Sequence, residues 1–431
     1  MAAPAVTATR RASRTIEVMS TSEVLEQGRS ATDHVAELER EYLLQNYARY
    51  PILLVRGKGA YVYDATGRRY LDLISGIGVN ALGHGYPRIV QVIKQQASQL
   101  IHTSNLYYNE FQGKLAKRLC EVSGMKRIFF TNSGTESMEG ALKMIRAHGR
   151  KSSEDKIEIV SLENSFHGRS LGALSVTGQP KYRRDFEPLL PGVRFVPPND
   201  TTALSQVVGD KTAGIVIEAI QGEGGVYPMG EDYLRKAREL ADRYDALLLF
   251  DEIQCGVGRP GTFFAYQMVE PYVLPDITVA AKPIGCGLPL GFIAANERAA
   301  AAIGAGMHGS TFGGGPLACR VALEALDVIE ELLPSISSVG SYFRMRFTEL
   351  AKHMPFIREV RGAGLMIGVE LDFPCREAVT LAMEEGMLIN VTHDTVIRLL
   401  PPYILTEQDV DRAMEGFERI LRKLGDSRPK A

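Results

Sequence analysis

The sequence predicts an α/β protein: a large domain with a mostly parallel seven-stranded sheet between helices, then a smaller α+β domain. Three observations lead there. Through the middle of the chain, short apolar runs rich in β-branched residues alternate with segments of helical periodicity. Two of those runs end on charge, at Asp251 and Lys282, as strands do when they deliver polar groups to the carboxyl edge of a sheet. From about Ser335 the order of strands and helices becomes mixed.

The elements follow in order. Residues 1–34 read as a disordered tail, because the first twenty are rich in Ala, Thr and Arg and nearly free of acids. A transit peptide has similar composition, so organelle import is a minority expectation beside a cytoplasmic one. Residues 35–75 form a segment expected to pack with the small domain. It holds a helical stretch (35–45) and a hairpin, 59–64 and 68–73, turning at Ala65-Thr-Gly67. The large domain is assigned to 76–334. Its strands are expected at 127–131, 156–161, 193–196, 214–219, 246–251, 276–281 and 290–295, with helices at 136–147, 231–244 and 317–333. The small domain, 335–431, is expected to hold a helix at 342–352, strands at 357–360, 364–371, 387–391 and 396–399, and a last helix from 407.

Composition narrows the function. The chain has 431 residues, 49 basic and 51 acidic, and a net charge of -2. Such a mixed, balanced surface does not ask for nucleic acid or an anionic membrane. No apolar stretch approaches the ~20 residues that span a bilayer. The five cysteines are scattered with no Cys-x-x-Cys pair, which reads as a reduced protein without a disulfide framework. No metal-ligand spacing occurs, and no metal is expected.

Lys282 closes an apolar run, Asp276-Ile-Thr-Val-Ala-Ala-Lys282, and opens a Pro/Gly-rich turn. Burial at that edge lowers an amine's pKa and makes it a nucleophile toward carbonyls. A lysine that merely snorkels into water is the plainer alternative. Asp251 at the end of a second buried run tips the balance. A lysine that carries an aldehyde cofactor, with a carboxylate holding the ring nitrogen protonated, is the pyridoxal phosphate arrangement. Ser133-Gly-Thr135, between a strand and a helix, offers hydroxyls and free N–H groups for the phosphate, although most such clusters are simple caps. Two other motifs carry less. Gly256-Val-Gly-Arg-Pro-Gly261 matches GxGxxG, but Pro260 stands where a helix should start. Gly168-Arg-Ser-Leu-Gly172 matches a nucleophile elbow without the strand immediately before it, leaving a serine hydrolase using Ser170 as a remote alternative.

From about Tyr47 to the C-terminus the sequence resembles the class III, ornithine-type aminotransferases of pyridoxal phosphate fold type I. The resemblance rests on Asn132-Ser-Gly-Thr-Glu136, Phe166-His-Gly-Arg169, Glu218-Ala-Ile-Gln-Gly-Glu-Gly-Gly225, Asp251-Glu-Ile-Gln254, Lys282 and His308-Gly-Ser-Thr-Phe-Gly-Gly314. Within the class, Gly76-Ile-Gly-Val-Asn-Ala-Leu-Gly-His84, Asn105-Leu-Tyr-Tyr-Asn109 and Val396-Ile-Arg-Leu-Leu-Pro-Pro402 are most similar to acetylornithine aminotransferases. The resemblance implies Lys282 as the Schiff-base lysine and Asp251 as the partner of the ring nitrogen. It implies Ser133, Gly134 and Thr135 at the phosphate, Phe166 on the ring and Gln254 near the ring hydroxyl, with His167, Glu218 and Ser310 also in the cofactor site. Thr311 would reach the phosphate of a neighbouring subunit, which implies a homodimer with shared sites. Arg398 would grip an α-carboxylate and Arg169 the distal carboxylate of 2-oxoglutarate. Glu223 would pair with Arg398 when no carboxylate is there. Tyr47 and Ile77 would face the substrate; Ile77 stands where ornithine aminotransferases carry tyrosine, which favours an acylated donor. The implied reaction moves the terminal amine of N2-acetyl-L-ornithine to 2-oxoglutarate. Ornithine, succinylornithine, 4-aminobutyrate or a carrier-linked lysine are alternative donors. Pro283, directly after the lysine, departs from the glycine or alanine commoner there.

Overall fold

The computed structural model describes residues 21–428 and divides into two compact units. The first lies within Met1–Arg56 and Val62–Arg69. Its main element is a helix, Thr21–Tyr42. Helix therefore begins well before residue 35, and the tail expected to run to residue 34 is corrected over 21–34. Val24, Leu25, Val35 and Leu38 recur at helical spacing among Glu and Arg, residues that lose little freedom in a helix. The remainder of the expected tail, 1–20, lies outside the described residues.

The second unit comprises Gly57–Tyr61 and Tyr70–Ala431. Its centre is a seven-stranded sheet: β1 (Arg127–Thr131), β2 (Glu158–Leu162), β3 (Val193–Val196), β4 (Thr212–Ile217), β5 (Leu247–Asp251), β6 (Ile277–Ala280) and β7 (Gly291–Ala295). The spatial order is β1-β7-β6-β5-β4-β2-β3, and β7 alone runs antiparallel to its neighbours. The inner strands β4, β5, β6 and β7 are buried on both faces, which is why they read as continuous apolar runs, whereas the edge strands β1 and β3 expose Arg127 and Arg194. In β5, Leu248 and Phe250 enter one hydrophobic cluster while Leu247 and Leu249 enter another. The sheet thus separates two cores, and its carboxyl edge is left free for polar groups.

The helix Pro316–Ala351 runs for 36 residues with Pro334 inside it. The sequence suggested two helices parted near that proline. One continuous face, including Ala325, Ile329, Ile336, Val339, Phe343 and Phe347, is buried along the whole length. Its packing outweighs the ~3 kcal/mol that an interior proline takes from a helix. The division expected at 334/335 therefore falls inside a single rod rather than at a break in the chain.

Beyond it lies a second, antiparallel sheet of β8 (Ile357–Ala363), β9 (Met366–Leu371), β10 (Asn390–Thr392) and β11 (Val396–Leu399), in the order β8-β9-β11-β10. Leu71 and Asp72 pair in parallel with Met387 and Leu388. A last helix, Glu407–Ser427, starts with a reciprocal cap between Thr406 and Asp409. Among the described residues no helix is long and apolar enough to cross a membrane.

Candidate active site

Register places the two charged strand ends side by side. β5 and β6 pair in parallel with Asp251 opposite Val279, so Lys282 emerges three residues further along the neighbouring strand. Both line one cavity of about 520 Å³, together with Asn132, Ser133, Gly134, Thr135, Phe166, His167, Arg169, Glu218 and Gln254. Lys282 opens a short 3-10 turn, Lys282–Gly285, with φ of +38°. Pro283 occupies the first turn, where its missing N–H leaves no helical bond unmade. The proline that departs from the family pattern is therefore accommodated by the local geometry. Burial lowers the Lys282 pKa; Glu223, Asp251 and Glu218 pull the other way, and Arg398 adds to the lowering.

Asp251 is 3% exposed. Its Oδ1 accepts the Ile253 N–H at 3.0 Å, and its Oδ2 meets His167 Nδ1 at 2.7 Å. For His167, burial alone would lower the pKa, but the Asp251 hydrogen bond and the charges of Asp251 and Glu218 outweigh it and the net shift is upward. The buried Nε2 of His167 has no hydrogen-bond partner. Glu218 accepts the N–H groups of Phe166 (2.9 Å) and Gly222 (3.1 Å), and burial pushes its carboxyl up to about 7.

At the far end of the cavity Ser133 caps the helix Gly134–Ser152, its Oγ accepting the Glu136 N–H at 3.3 Å. A Cβ on Gly134 would stand 2.7 Å from Ile253, so only glycine lets the helix start this close to β5. Thr135 Oγ1 shares a 2.6 Å hydrogen bond with Ser170 Oγ. Ser170 precedes a five-residue helix, Leu171–Ser175, and β2 has ended at Leu162. Its partner is a threonine, not a basic histidine, and the nucleophile-elbow alternative loses its geometry. Phe166 meets Tyr182 edge-on at 5.9 Å, and the exposed Arg169 guanidinium lies 4.0 Å from the Tyr182 ring centre.

Arg398, on β11, is 1% exposed. It donates to Glu223 at 2.5 Å, to Gln254 Oε1 at 2.9 Å and to Asn390 Oδ1 at 2.7 Å. Gln254 carries this network into the cavity wall. Burial would raise the Glu223 pKa, but the charge and hydrogen bond of Arg398 hold its carboxyl below the usual range.

Ile77 belongs to an unusual turn. Ser75, Gly76, Ile77 and Gly78 have φ of 42°, 64°, 61° and 81°, four left-handed residues in succession. Asp72 Oδ1 accepts the N–H groups of Ile74 (3.2 Å) and Ser75 (2.7 Å), while His84 bonds the other carboxylate oxygen at 2.8 Å. Ser75 Oγ donates to the Leu400 carbonyl. A Cβ on Gly78 would touch Lys282 Cδ at 4.0 Å, so the turn lies against the lysine. Ile77 itself is 43% exposed.

Six expected residues are absent from the lining of this cavity: Glu223 and Arg398, which join it through Gln254, Ile77, and Ser310, Thr311 and Tyr47. Ser310 Oγ accepts from Asn132 Nδ2 at 3.2 Å and the Gly313 N–H at 3.0 Å, outside the lining. Thr311 is exposed. Tyr47, 70% exposed, belongs to the first compact unit. Sequence reasoning missed Asn390, which sits opposite Arg398 in the β10–β11 register. It also missed Arg259, a fully buried guanidinium whose Nε and Nη2 lack partners and whose Nη1 donates to the carbonyls of Leu365 (3.2 Å) and Pro401. Arg259 lies within the Gly256–Gly261 motif, whose match to GxGxxG points to a dinucleotide loop and not to this buried cation.

These residues fit pyridoxal phosphate. A helix N-terminus with two hydroxyls suits an anion, a buried carboxylate suits a ring cation, and a lysine of lowered pKa suits an aldehyde. A sheet of this topology with that set at its carboxyl edge defines a cofactor-bearing transaminase of fold type I. Residues 42–421 match the family described as Aminotransferase class-III, and the chain belongs to that family. It is a pyridoxal-phosphate-dependent aminotransferase. The acetylornithine aminotransferase of Aquifex aeolicus is 47% identical over 381 residues, covering 88% of this chain and 100% of the relative. That of Methanocaldococcus jannaschii is 47% identical over 391 residues, covering 90% and 98%. Among solved structures, an ornithine aminotransferase from Toxoplasma gondii, described with partial occupancy of PLP at its active site, superposes with TM-score 0.88 at 31% identity, covering 96% of this chain and 100% of that one. Acetylornithine aminotransferase from Elizabethkingia anophelis gives 0.80 at 31%, covering 91% and 99%.

Proposed function

We propose that this enzyme transfers the terminal amino group of N2-acetyl-L-ornithine to 2-oxoglutarate, giving N-acetylglutamate semialdehyde and glutamate, as arginine biosynthesis requires. The observation that carries the reading is the pair of arginines. Arg398 is neutralised by Glu223 at 2.5 Å, whereas Arg169 is exposed at the cavity wall. A dicarboxylate wants two guanidinium forks. A donor reacting through its terminal amine carries its carboxylate far from that amine and needs one. The relatives named acetylornithine aminotransferase support this choice of donor.

When bound, pyridoxal phosphate supplies an electron sink for the carbon that bears the migrating amine. The Gly134 and Thr135 N–H groups with the Ser133 and Thr135 hydroxyls would hold its phosphate, and Asp251, braced by His167, would keep its ring nitrogen protonated. Phe166 would cover the ring. Lys282 would take the proton from the amine-bearing carbon of the donor and later deliver one to the carbon of 2-oxoglutarate that receives the amine, a task suited to an amine whose pKa burial has lowered. Arg169 orients the distal carboxylate. Glu223 leaves Arg398 when glutamate or 2-oxoglutarate brings an α-carboxylate to it. Tyr47 is assigned to the substrate side on the family resemblance.

A homodimer with shared sites fits the exposed Thr311 and the large apolar side chains of Phe312, Leu106, Tyr107 and Tyr108, all exposed in the single chain. Five free cysteines fit a reducing cytoplasm. Initial rates with 2-oxoglutarate across acetylornithine, ornithine, succinylornithine and 4-aminobutyrate test the substrate. Acetylornithine is expected to give the highest kcat/KM; a preference for 4-aminobutyrate would sink the donor assignment and leave the family intact.

A further inference from the structure

Glu223 sits at the tip of a two-stranded ribbon, between Ile220–Gln221 and Tyr227–Pro228. That tip is clamped from outside the cavity. Arg361, on β8, is 8% exposed. Its Nε donates to the carbonyls of Gly225 (2.9 Å) and Val226 (3.1 Å), and its Nη2 donates again to Gly225 at 2.8 Å. Its Nη1 is held by Glu359 at 2.7 Å and by Glu370. The guanidinium is thus a planar bracket: two carboxylates fix one side, and the other side grips the backbone just after Glu223. From a second direction Thr392 Oγ1 donates to the carbonyl of Glu223 itself at 2.6 Å. Gly225 takes φ of +106°, which its lack of a side chain permits.

Arg361 and Thr392 also belong to the sheet that carries Arg398, and Thr392 pairs directly with Val396 on β11. The clamp therefore holds Glu223 in the same rigid frame as its ionic partner. We propose that Arg361, seconded by Thr392, is a positioning residue that locks Glu223 onto Arg398 and so sets the balance between donors that leave Arg398 covered and glutamate, which needs it free. The inference rests on the reading of Glu223 and Arg398 as an exchangeable pair.

Loosening the clamp frees the tip, and Glu223 spends more time away from Arg398. The half-reaction with glutamate should then gain while that with acetylornithine does not. A merely destabilising change would lower both. The test uses full-length holoenzyme and single-turnover kcat/KM for each half-reaction. Arg361→Lys keeps a cation beside Glu359 and Glu370 but loses the fork; Thr392→Val is near-isosteric and loses only the bond to Glu223. Glu223→Ala is the reference, and hydrogen exchange of the 223–226 amides is the second readout. Arg361→Lys should raise the glutamate-to-acetylornithine ratio about tenfold, the scale of one charge-assisted hydrogen bond. Thr392→Val should move it the same way by less, and both should speed exchange at 223–226. If Glu223→Ala moves the ratio while neither clamp variant does, the clamp is refuted and the pair stands. Equal loss in both half-reactions also refutes it. If Glu223→Ala itself leaves the ratio unchanged, the exchangeable pair fails and takes the clamp with it.

Discussion

Replacing Asp251 by Asn should separate stability from catalysis. The side chain keeps its shape but loses the charge that faces His167 at 2.7 Å, with the His167 side chain fully buried and that of Asp251 3% exposed. At that separation two unit charges attract by about 6 kcal/mol at an effective dielectric of 20. The fold does not lose that much, because His167 can shed its proton and return to neutrality, an escape denied to a buried arginine. What remains is the loss of one charge-assisted hydrogen bond, about 1–3 kcal/mol. Catalysis has no such escape. In the proposed mechanism the ring nitrogen of pyridoxal phosphate depends on Asp251 for its proton, and forfeiting a charge-assisted hydrogen bond of about 3 kcal/mol there lowers kcat by about a hundredfold. Urea denaturation of the cofactor-free protein and steady-state kcat of the reconstituted enzyme read the two effects separately. Retention of more than about a tenth of the wild-type kcat by the folded, cofactor-loaded variant would refute the reasoning, since the loss would then be below 1.4 kcal/mol.

Lys282→Ala should abolish turnover and the absorbance that borohydride reduction bleaches; a coloured, borohydride-sensitive, active variant would contradict the role given to the lysine. His167→Gln keeps a donor toward Asp251 but cannot titrate. The raised His167 pKa contributes stability that is complete below the ordinary imidazole value near 6.5 and is lost as pH rises through the higher folded value. The stability advantage of wild type over His167→Gln, measured by urea midpoint, should therefore shrink as pH rises above about 6.5; an advantage that grows with pH would reverse the assigned direction. Ser170→Ala should cost about fivefold or less in kcat/KM through the lost bond to Thr135, and the wild-type protein should not react with a fluorophosphonate. Labelling at Ser170 would revive the hydrolase reading.

All seven strands of the central sheet were legible, with ends displaced by a residue or two. Strands buried on both faces must be apolar throughout, and that constraint is written locally in the runs of β4 to β7. The long helix was not legible at Pro334, because the compensating contacts come from residues distant in sequence. The helix Thr21–Tyr42 was legible only from residue 35, its first part being hidden by a neighbouring stretch without apolar periodicity. Within the site, Asp251 and Lys282 announced themselves as charges ending apolar runs. The phosphate cradle looked like any cap until the cofactor gave its parts a common purpose. Asn390, Arg259, Arg361 and Thr392 were invisible because polar residues in short strands and turns show no pattern; the register of the small sheet and the tertiary hydrogen bonds reveal what they face.

The left-handed turn from Ser75 to Gly78 has a consequence for anyone who would make this protein hardier. A β-branched residue at φ of 61° carries about 1–2 kcal/mol of strain that glycine would not. Ile77→Gly would look attractive in a search for thermal tolerance, and by that reckoning the turn would gain from it. Yet the same side chain is the one the family resemblance assigns to the substrate, in a turn whose Gly78 lies close to Lys282. Screens scored on melting temperature alone would favour the variant and erode selectivity without warning, so position 77 belongs on the list of sites to be left alone.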